Sequence, residues 1–146
     1  TLPESARKYM DLHMGHGDTL KELKTDAIAF QLELLDLQKA MEQEHDPHVI
    51  TFLDRGIPDA LAYWKHNKLP ESQELIDAVQ ECSYNKIFIL EPFTPIINDY
   101  ARKESPTEQR AIHDEIVAVY SSLPFPIVLV PALPLEERVA YVLERL

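Results

Sequence analysis

A chain of 146 residues with 45% hydrophobic and 27% charged side chains has room for one substantial core and the composition of a globular domain. Its net charge of −11 argues against a nucleic-acid groove, which needs clustered cations, but leaves room for a nucleotide site served by a few local ones. The lone Cys82 rules out an internal disulfide and points to a reducing, cytoplasmic setting, and no apolar run reaches the ~18 residues of a membrane span.

Leu2-Pro3-Glu4 reads as the end of a strand. Glu4 and Ser5 suit the first turn of a helix, which is expected to run to Leu12. Gly15 and Gly17 break it. Residues 18–44 are the longest periodic stretch, with Leu20, Ala27, Leu34 and Met41 recurring at heptad spacing and Leu23, Phe30 and Leu37 between them. A dimerising coiled coil would use that seam. Ile28, Leu32 and Leu35 widen the stripe, which fits better a helix packed into a core. Asp18 is the expected N-cap, and Asp46-Pro47 ends the segment.

Residues 48–53 form an apolar run rich in β-branched and aromatic side chains, the pattern of a strand buried on both faces. Asp54-Arg55-Gly56 closes it, and Pro58-Asp59 opens a helix over 58–67, with Leu61 and Ala62 inward and Trp64 to one side. A helix over 70–83 carries the stripe Leu75, Ile76, Val79 and Cys82, which makes Cys82 a core residue rather than a nucleophile. Residues 86–91 repeat the buried-strand pattern, and 95–102 read as a short helix before a charged connector. A helix over 106–123 turns Ile112, Ile116, Val119, Tyr120 and Leu123 inward and leaves His113-Asp114 exposed. A third strand is expected over 125–130. A last helix over 134–146 carries Val139, Val142, Leu143 and Leu146. Continuous apolar strands joined by helical crossovers imply one α/β domain, residues 1–146, with a parallel sheet covered on both faces.

Ligands of such sheets bind at the carboxyl ends of the strands. Asp54-Arg55, Glu91-Pro92 and Pro131-Ala132 would lie on that edge, and Glu4 would join them. A carboxylate there can hold Mg²⁺ or accept a hydroxyl proton, and an arginine can stabilise a transferring phosphoryl group. The plainer alternative is an Asp that caps the next turn, with Arg55 as its salt-bridge partner. Arg102, Lys103 and Arg110 suit a phosphate-covering lid or, equally, a solvated helix face. The pairs His13/His16 and His45/His48 lack the further ligands zinc wants and read as surface histidines. Neither a G-x-S-x-G elbow nor a G-x-G-x-x-G fingerprint is present.

Several blocks then run in the order of a known family. They are Pro3-Glu4-Ser5-Ala6-Arg7, Phe52-Leu53-Asp54-Arg55-Gly56-Ile57-Pro58-Asp59 with Ala62-Tyr63, Ile87-Phe88-Ile89-Leu90-Glu91-Pro92, and Val130-Pro131 with Leu135-Glu136-Glu137-Arg138-Val139. The chain resembles the AAA-type P-loop NTPase domain of the ribosylnicotinamide kinase/nicotinamide-nucleotide regulator group, and more distantly the thymidylate and deoxynucleoside kinases. The resemblance implies a nucleoside-kinase-like three-layer sandwich on a parallel P-loop sheet. It also implies ATP or GTP with Mg²⁺, and phosphoryl transfer to a small acceptor. Glu4, Asp54 and Arg55 fall at the catalytic positions, with Glu4, Asp59 and Tyr63 on the acceptor side. Arg102 and Arg110 fall in a lid over about 95–112, and Ala132 and Leu133 flank the nucleotide base.

The family's first strand and its G-x-x-x-x-G-K-[ST] loop have no counterpart in this sequence. That loop supplies the phosphate-binding amides, a lysine and the Mg²⁺-binding hydroxyl. The expectation is therefore a piece of a longer P-loop protein, inactive or weak as it stands. Two alternatives stay open: a non-catalytic nucleotide-sensing module, and a helical interaction or dimerisation protein. Oligomeric state is left open.

Overall fold

The computed structural model describes residues 1–14, 26–44, 46, 48–92 and 105–146. They form two compact units, Thr1–Cys82 and Ser83–Leu146. Among the described residues, no helix is long and apolar enough to cross a membrane.

The first unit contains α1 (Ser5–Met14), α2 (Ala27–Gln43), α3 (Ile57–His66) and α4 (Gln73–Glu81). Helix α2 is not continuous through residue 26, as the periodicity suggests it would be, and the expected cap Asp18 lies outside the described residues. Asp26 is extended, and its carboxylate accepts the backbone N–H groups of Ile28 (3.1 Å) and Ala29 (3.0 Å). That makes Asp26 the N-cap and Ala27 the first helical residue. Leu20 and Leu23, on which the heptad partly rested, lie outside the described residues. The buried face of α2 is the wide stripe Phe30, Leu34, Leu35, Gln38 and Met41. It packs against α1, α3 and α4. Tyr9 of α1 meets Phe30 edge-on, with ring centroids 5.5 Å apart at 82°, and its hydroxyl donates to Glu33. Ala6 and Leu37 close around this pair and Leu34.

Gly56 is the N-cap of helix α3, and Pro58 lies in its first turn, where a missing N–H costs nothing. Ala62 and Trp64 are buried. The sequence pattern set Trp64 aside, but its indole N–H donates to the Pro70 carbonyl at 2.6 Å. That bond satisfies the polar edge and lets the ring join the core. Helix α4 begins at Gln73 rather than Pro70, because Ser72 caps it on Leu75 N. Leu75, Ala78 and Val79 are buried, whereas Cys82 is half-buried at the C-terminus of the helix, its thiol on the Val79 carbonyl at 3.1 Å.

The expectation of a fully buried strand over 48–53 is corrected. Val49 is 59% exposed and Ile50 74%. The chain leaves α2 through a turn in which His48 N donates to Asp46 Oδ1 (2.9 Å) and Val49 N to the Asp46 carbonyl (3.1 Å). Side chain-to-backbone bonds of this kind compete with a strand ladder. What remains is a single parallel bridge, Leu2 with Leu53. Leu2 N donates to the Phe52 carbonyl at 2.8 Å, and Asp54 N to the Leu2 carbonyl at 3.0 Å. Helix α1 starts at Ser5, which ends the pairing on the C-terminal side of the bridge.

The second unit contains β1 (Ile87–Leu90), α5 (Pro106–Ser121), β2 (Ile127–Val130) and α6 (Leu135–Leu143). The two strands pair in parallel, Ile87 with Ile127 through Leu90 with Val130, as the apolar runs lead one to expect. Ile89 and Val130 are buried, while Leu90 and Leu129 are exposed. Ser105 and Glu108 form a capping box at the start of α5, with Pro106 in the first turn. Helix α6 buries none of its residues; Val139 and Leu143 of its apolar stripe are exposed. Arg138 Nη2 ties it to the Glu91 carbonyl at the end of β1 (3.1 Å). A small parallel sheet with helices is compatible with a P-loop-like α/β fold.

Candidate functional site

The Leu2–Leu53 bridge sets the geometry of the site. Residues two positions further along each segment of a parallel pair are again neighbours. Those residues are Glu4 and Arg55, and Arg55 Nε lies 2.7 Å from Glu4 Oε1. Both side chains are largely buried, 22% and 12% exposed. The other partners of Arg55 come from α3, one turn apart. Arg55 Nη1 donates to the Tyr63 hydroxyl at 2.8 Å and lies 3.7 Å from Asp59 Oδ1. The guanidinium carbon sits 5.1 Å from the Tyr63 ring centroid, close enough for a cation–π contact.

Two carboxylates and a phenol thus surround one cation. Burial by itself would push the Arg55 guanidinium toward losing its proton. Tyr63, Asp59 and Glu4 outweigh that effect and hold it above the ordinary arginine range. Burial pushes the Tyr63 phenol up from 10.0; Arg55 opposes this by charge and hydrogen bond, while Asp59 and Glu4 reinforce it. Arg55 also has φ 73°, a left-handed conformation that an arginine adopts at a cost.

Asp54 is exposed beside this cluster, its backbone anchored on Leu2. Asp59 is buried, and its second oxygen, Oδ2, accepts the Gly56 N–H at 3.1 Å, so it caps α3 while pairing with Arg55. Arg7 approaches the other oxygen of Glu4 at 4.0 Å. Next to Glu4, Pro3, Arg7, Lys8 and Asp11 line an open depression of about 340 Å³.

The sequence-derived residues therefore divide. Glu4, Arg55, Asp59 and Tyr63 meet, and Asp54 adjoins them. Arg110, Ala132 and Leu133 belong to the second unit. Arg110 is exposed on α5, 3.2 Å from Asp114 and 3.7 Å from Glu91. Ala132 and Leu133 follow β2 in a tight turn, Leu133 N on the Pro131 carbonyl at 2.8 Å. Arg102 lies outside the described residues, as does most of the expected lid. His113, expected on the surface, is instead buried, its Nε2 3.8 Å from Glu91 Oε1. Helical spacing puts it beside Ile112 on the inward face of α5, and the strand-end carboxylate gives it a polar partner. The sequence reading also missed Gln38 and Glu42, two α2 residues whose side chains reach the Arg55–Ile57 backbone. The available signal was a glutamine inside the apolar stripe Leu34, Leu35 and Met41.

Among the described residues, no group of three or more His, Cys, Asp or Glu side chains is placed to hold a metal ion. A Mg²⁺ held mainly by nucleotide phosphates needs one or two protein carboxylates, and the exposed Asp54 could supply one.

A family model described as AAA domain matches residues 1–138 of the chain. No curated protein and no solved structure matches it.

Proposed function

Because the chain belongs to the AAA domain family, a family of P-loop-type nucleotide-binding domains, we propose that it forms the acceptor-side half of a phosphoryl-transfer site. The activity proposed is that of a small-molecule kinase using ATP or GTP with Mg²⁺ on a nucleoside or ribosylnicotinamide-like acceptor. The observation that carries this reading is the half-buried Arg55, paired with Glu4 and Asp59 beside an exposed Asp54.

In this reading Asp54 orients the acceptor hydroxyl and takes its proton. Arg55 offsets the negative charge that develops on the transferring phosphoryl group. Glu4 holds Arg55 and faces the acceptor, with Asp59 and Tyr63 forming the wall behind. Arg102 and Arg110 would serve the lid, and Ala132 and Leu133 the nucleotide base. The sequence contains no G-x-x-x-x-G-K-[ST] loop, so the phosphate cradle and its lysine would come from residues other than these. The bound metal would neutralise phosphate charge, and Asp54 is the residue proposed to meet it.

A second reading, a non-catalytic nucleotide sensor, is favoured by one observation. Arg55 already has Glu4, Asp59 and Tyr63 as partners, as a purely structural arginine would.

The deciding experiment measures phosphate transfer from Mg·ATP and Mg·GTP to nucleosides and to ribosylnicotinamide by the full-length protein, with and without Asp54→Asn. Transfer that Asp54→Asn abolishes supports the kinase. Nucleotide binding with no transfer supports the sensor. Absence of both binding and transfer sinks both readings.

A further inference from the structure

The turn that presents Arg55 is held by side chains at three consecutive residues. Gln38 Nε2 donates to the Arg55 carbonyl at 3.2 Å. Asp59 Oδ2 accepts the Gly56 N–H at 3.1 Å. Glu42 Oε1 accepts the Ile57 N–H at 3.2 Å and is itself bonded by Gln38 Nε2 at 2.7 Å. Two of the three contacts come from α2, one helical turn apart, far in sequence from the turn they hold.

Gln38 is an unusual choice for its position. It is 4% exposed and lies in the apolar stripe of α2, where leucine or methionine would fit the pattern. Its Oε1 is buried and has no hydrogen-bond partner among the described residues. Flipping the amide would not help. It would set the oxygen against the Glu42 carboxylate and the Arg55 carbonyl, both acceptors. The donor must face Arg55, and the orphaned oxygen is the consequence. A buried polar group without a partner destabilises the fold, and here that penalty falls beside the residue with φ 73°. Such penalties cluster where backbone strain serves function.

We propose that Gln38 and Glu42 are positioning residues for Arg55. They hold its backbone in the left-handed conformation and so deliver the guanidinium to Glu4 and Tyr63, while the core of α2 gains nothing from them. The proposal deepens the phosphoryl-transfer reading and rests on it for the role of Arg55, but the clamp itself is measurable without any ligand.

The test reads the Arg55 Nε–H resonance by NMR in the unliganded protein, alongside thermal stability. Gln38→Met removes the donor and the orphaned oxygen at nearly constant volume. The expected result is unchanged or raised stability together with Arg55 Nε–H exchange about tenfold or more faster. A purely space-filling Gln38 would leave the Arg55 signal where it is, and that result overturns the proposal. Should Gln38→Met fail to fold, the pair Glu42→Gln and Glu42→Met decides. The first keeps an acceptor for Ile57 and Gln38 and should preserve the Arg55 signal; the second should lose it. An unchanged signal in Glu42→Met overturns the clamp.

Phosphate transfer to a nucleoside by the full-length protein separates the two layers. Gln38→Met should lower kcat in the wild type and have no further effect in an Arg55→Ala background. If Arg55→Ala leaves transfer unaltered, the role of Arg55 in transfer falls, and the NMR result still judges the clamp.

Discussion

Arg55 Nε and Glu4 Oε1 are 2.7 Å apart because Leu2 and Leu53, two residues upstream of each, are paired in parallel. One backbone bridge thus joins the acid of the first segment to the base of another, and α3 supplies Tyr63 and Asp59 to complete the ring around the guanidinium.

Glu4→Gln keeps the shape of that contact and removes its charge. Both side chains are mostly shielded from water, so the loss should cost about 1–3 kcal/mol, the range of a hydrogen bond to a charged group in a shielded site. Arg7→Ala, which removes a longer and more exposed contact to the same carboxylate, should change stability by less than about 0.5 kcal/mol. Urea denaturation checks both; the midpoint should move for Glu4→Gln with the slope unchanged.

Arg55→Gly and Arg55→Ala both delete the guanidinium, but only glycine relieves the left-handed backbone. Ordinarily alanine is the more stable replacement. At φ 73° the order should reverse, with Arg55→Gly more stable than Arg55→Ala by about 1 kcal/mol. Paired thermal melts would show it, and equal or opposite ranking would mean that Arg55 is not held in this conformation.

The Tyr63 phenol has its pKa raised above 10.0 chiefly by burial. The folded protein therefore keeps a proton that the unfolded chain loses first. Stability from this group is complete below the unfolded value and is lost as pH rises through the folded one. Wild-type protein should lose stability above pH about 10 more steeply than Tyr63→Phe, and the two curves should run parallel at lower pH. Denaturant midpoints across an alkaline series make the comparison.

Asp26→Ala should remove the N-cap of α2 and cost about 1 kcal/mol, with Asp26→Asn or Asp26→Ser recovering most of it. No effect on the melting temperature would indicate that the helix does not begin at Ala27.

Much was legible in the chain itself. The apolar runs at 87–90 and 127–130 pair in parallel as their patterns imply. Asp54-Arg55-Gly56 followed by Pro58-Asp59 marked the turn into α3, because glycine, proline and an acidic first turn act locally. The family match over residues 1–138 agrees with the AAA-type resemblance of those same blocks. Composition misled where specific hydrogen bonds decided the outcome. The run over 48–53 has strand composition, yet its first residues are drawn into a turn on Asp46, and Val49 and Ile50 are exposed. Trp64 is buried with its indole N–H on the Pro70 carbonyl, and His113 is buried with its Nε2 3.8 Å from the Glu91 carboxylate.

The same distinction divides the site. The sequence by itself determined which groups are available: an acid and a base after an apolar run, an Asp59 that opens the next helix, a tyrosine one turn further on and an acid near Leu2. The tertiary structure decided that Glu4, Asp59 and Tyr63 converge on one half-buried cation, and that Gln38 and Glu42 reach across from α2 to the turn that carries it. The physical reason is that hydrogen bonds and ion pairs act over about 3–4 Å in space and carry no signature in sequence separation.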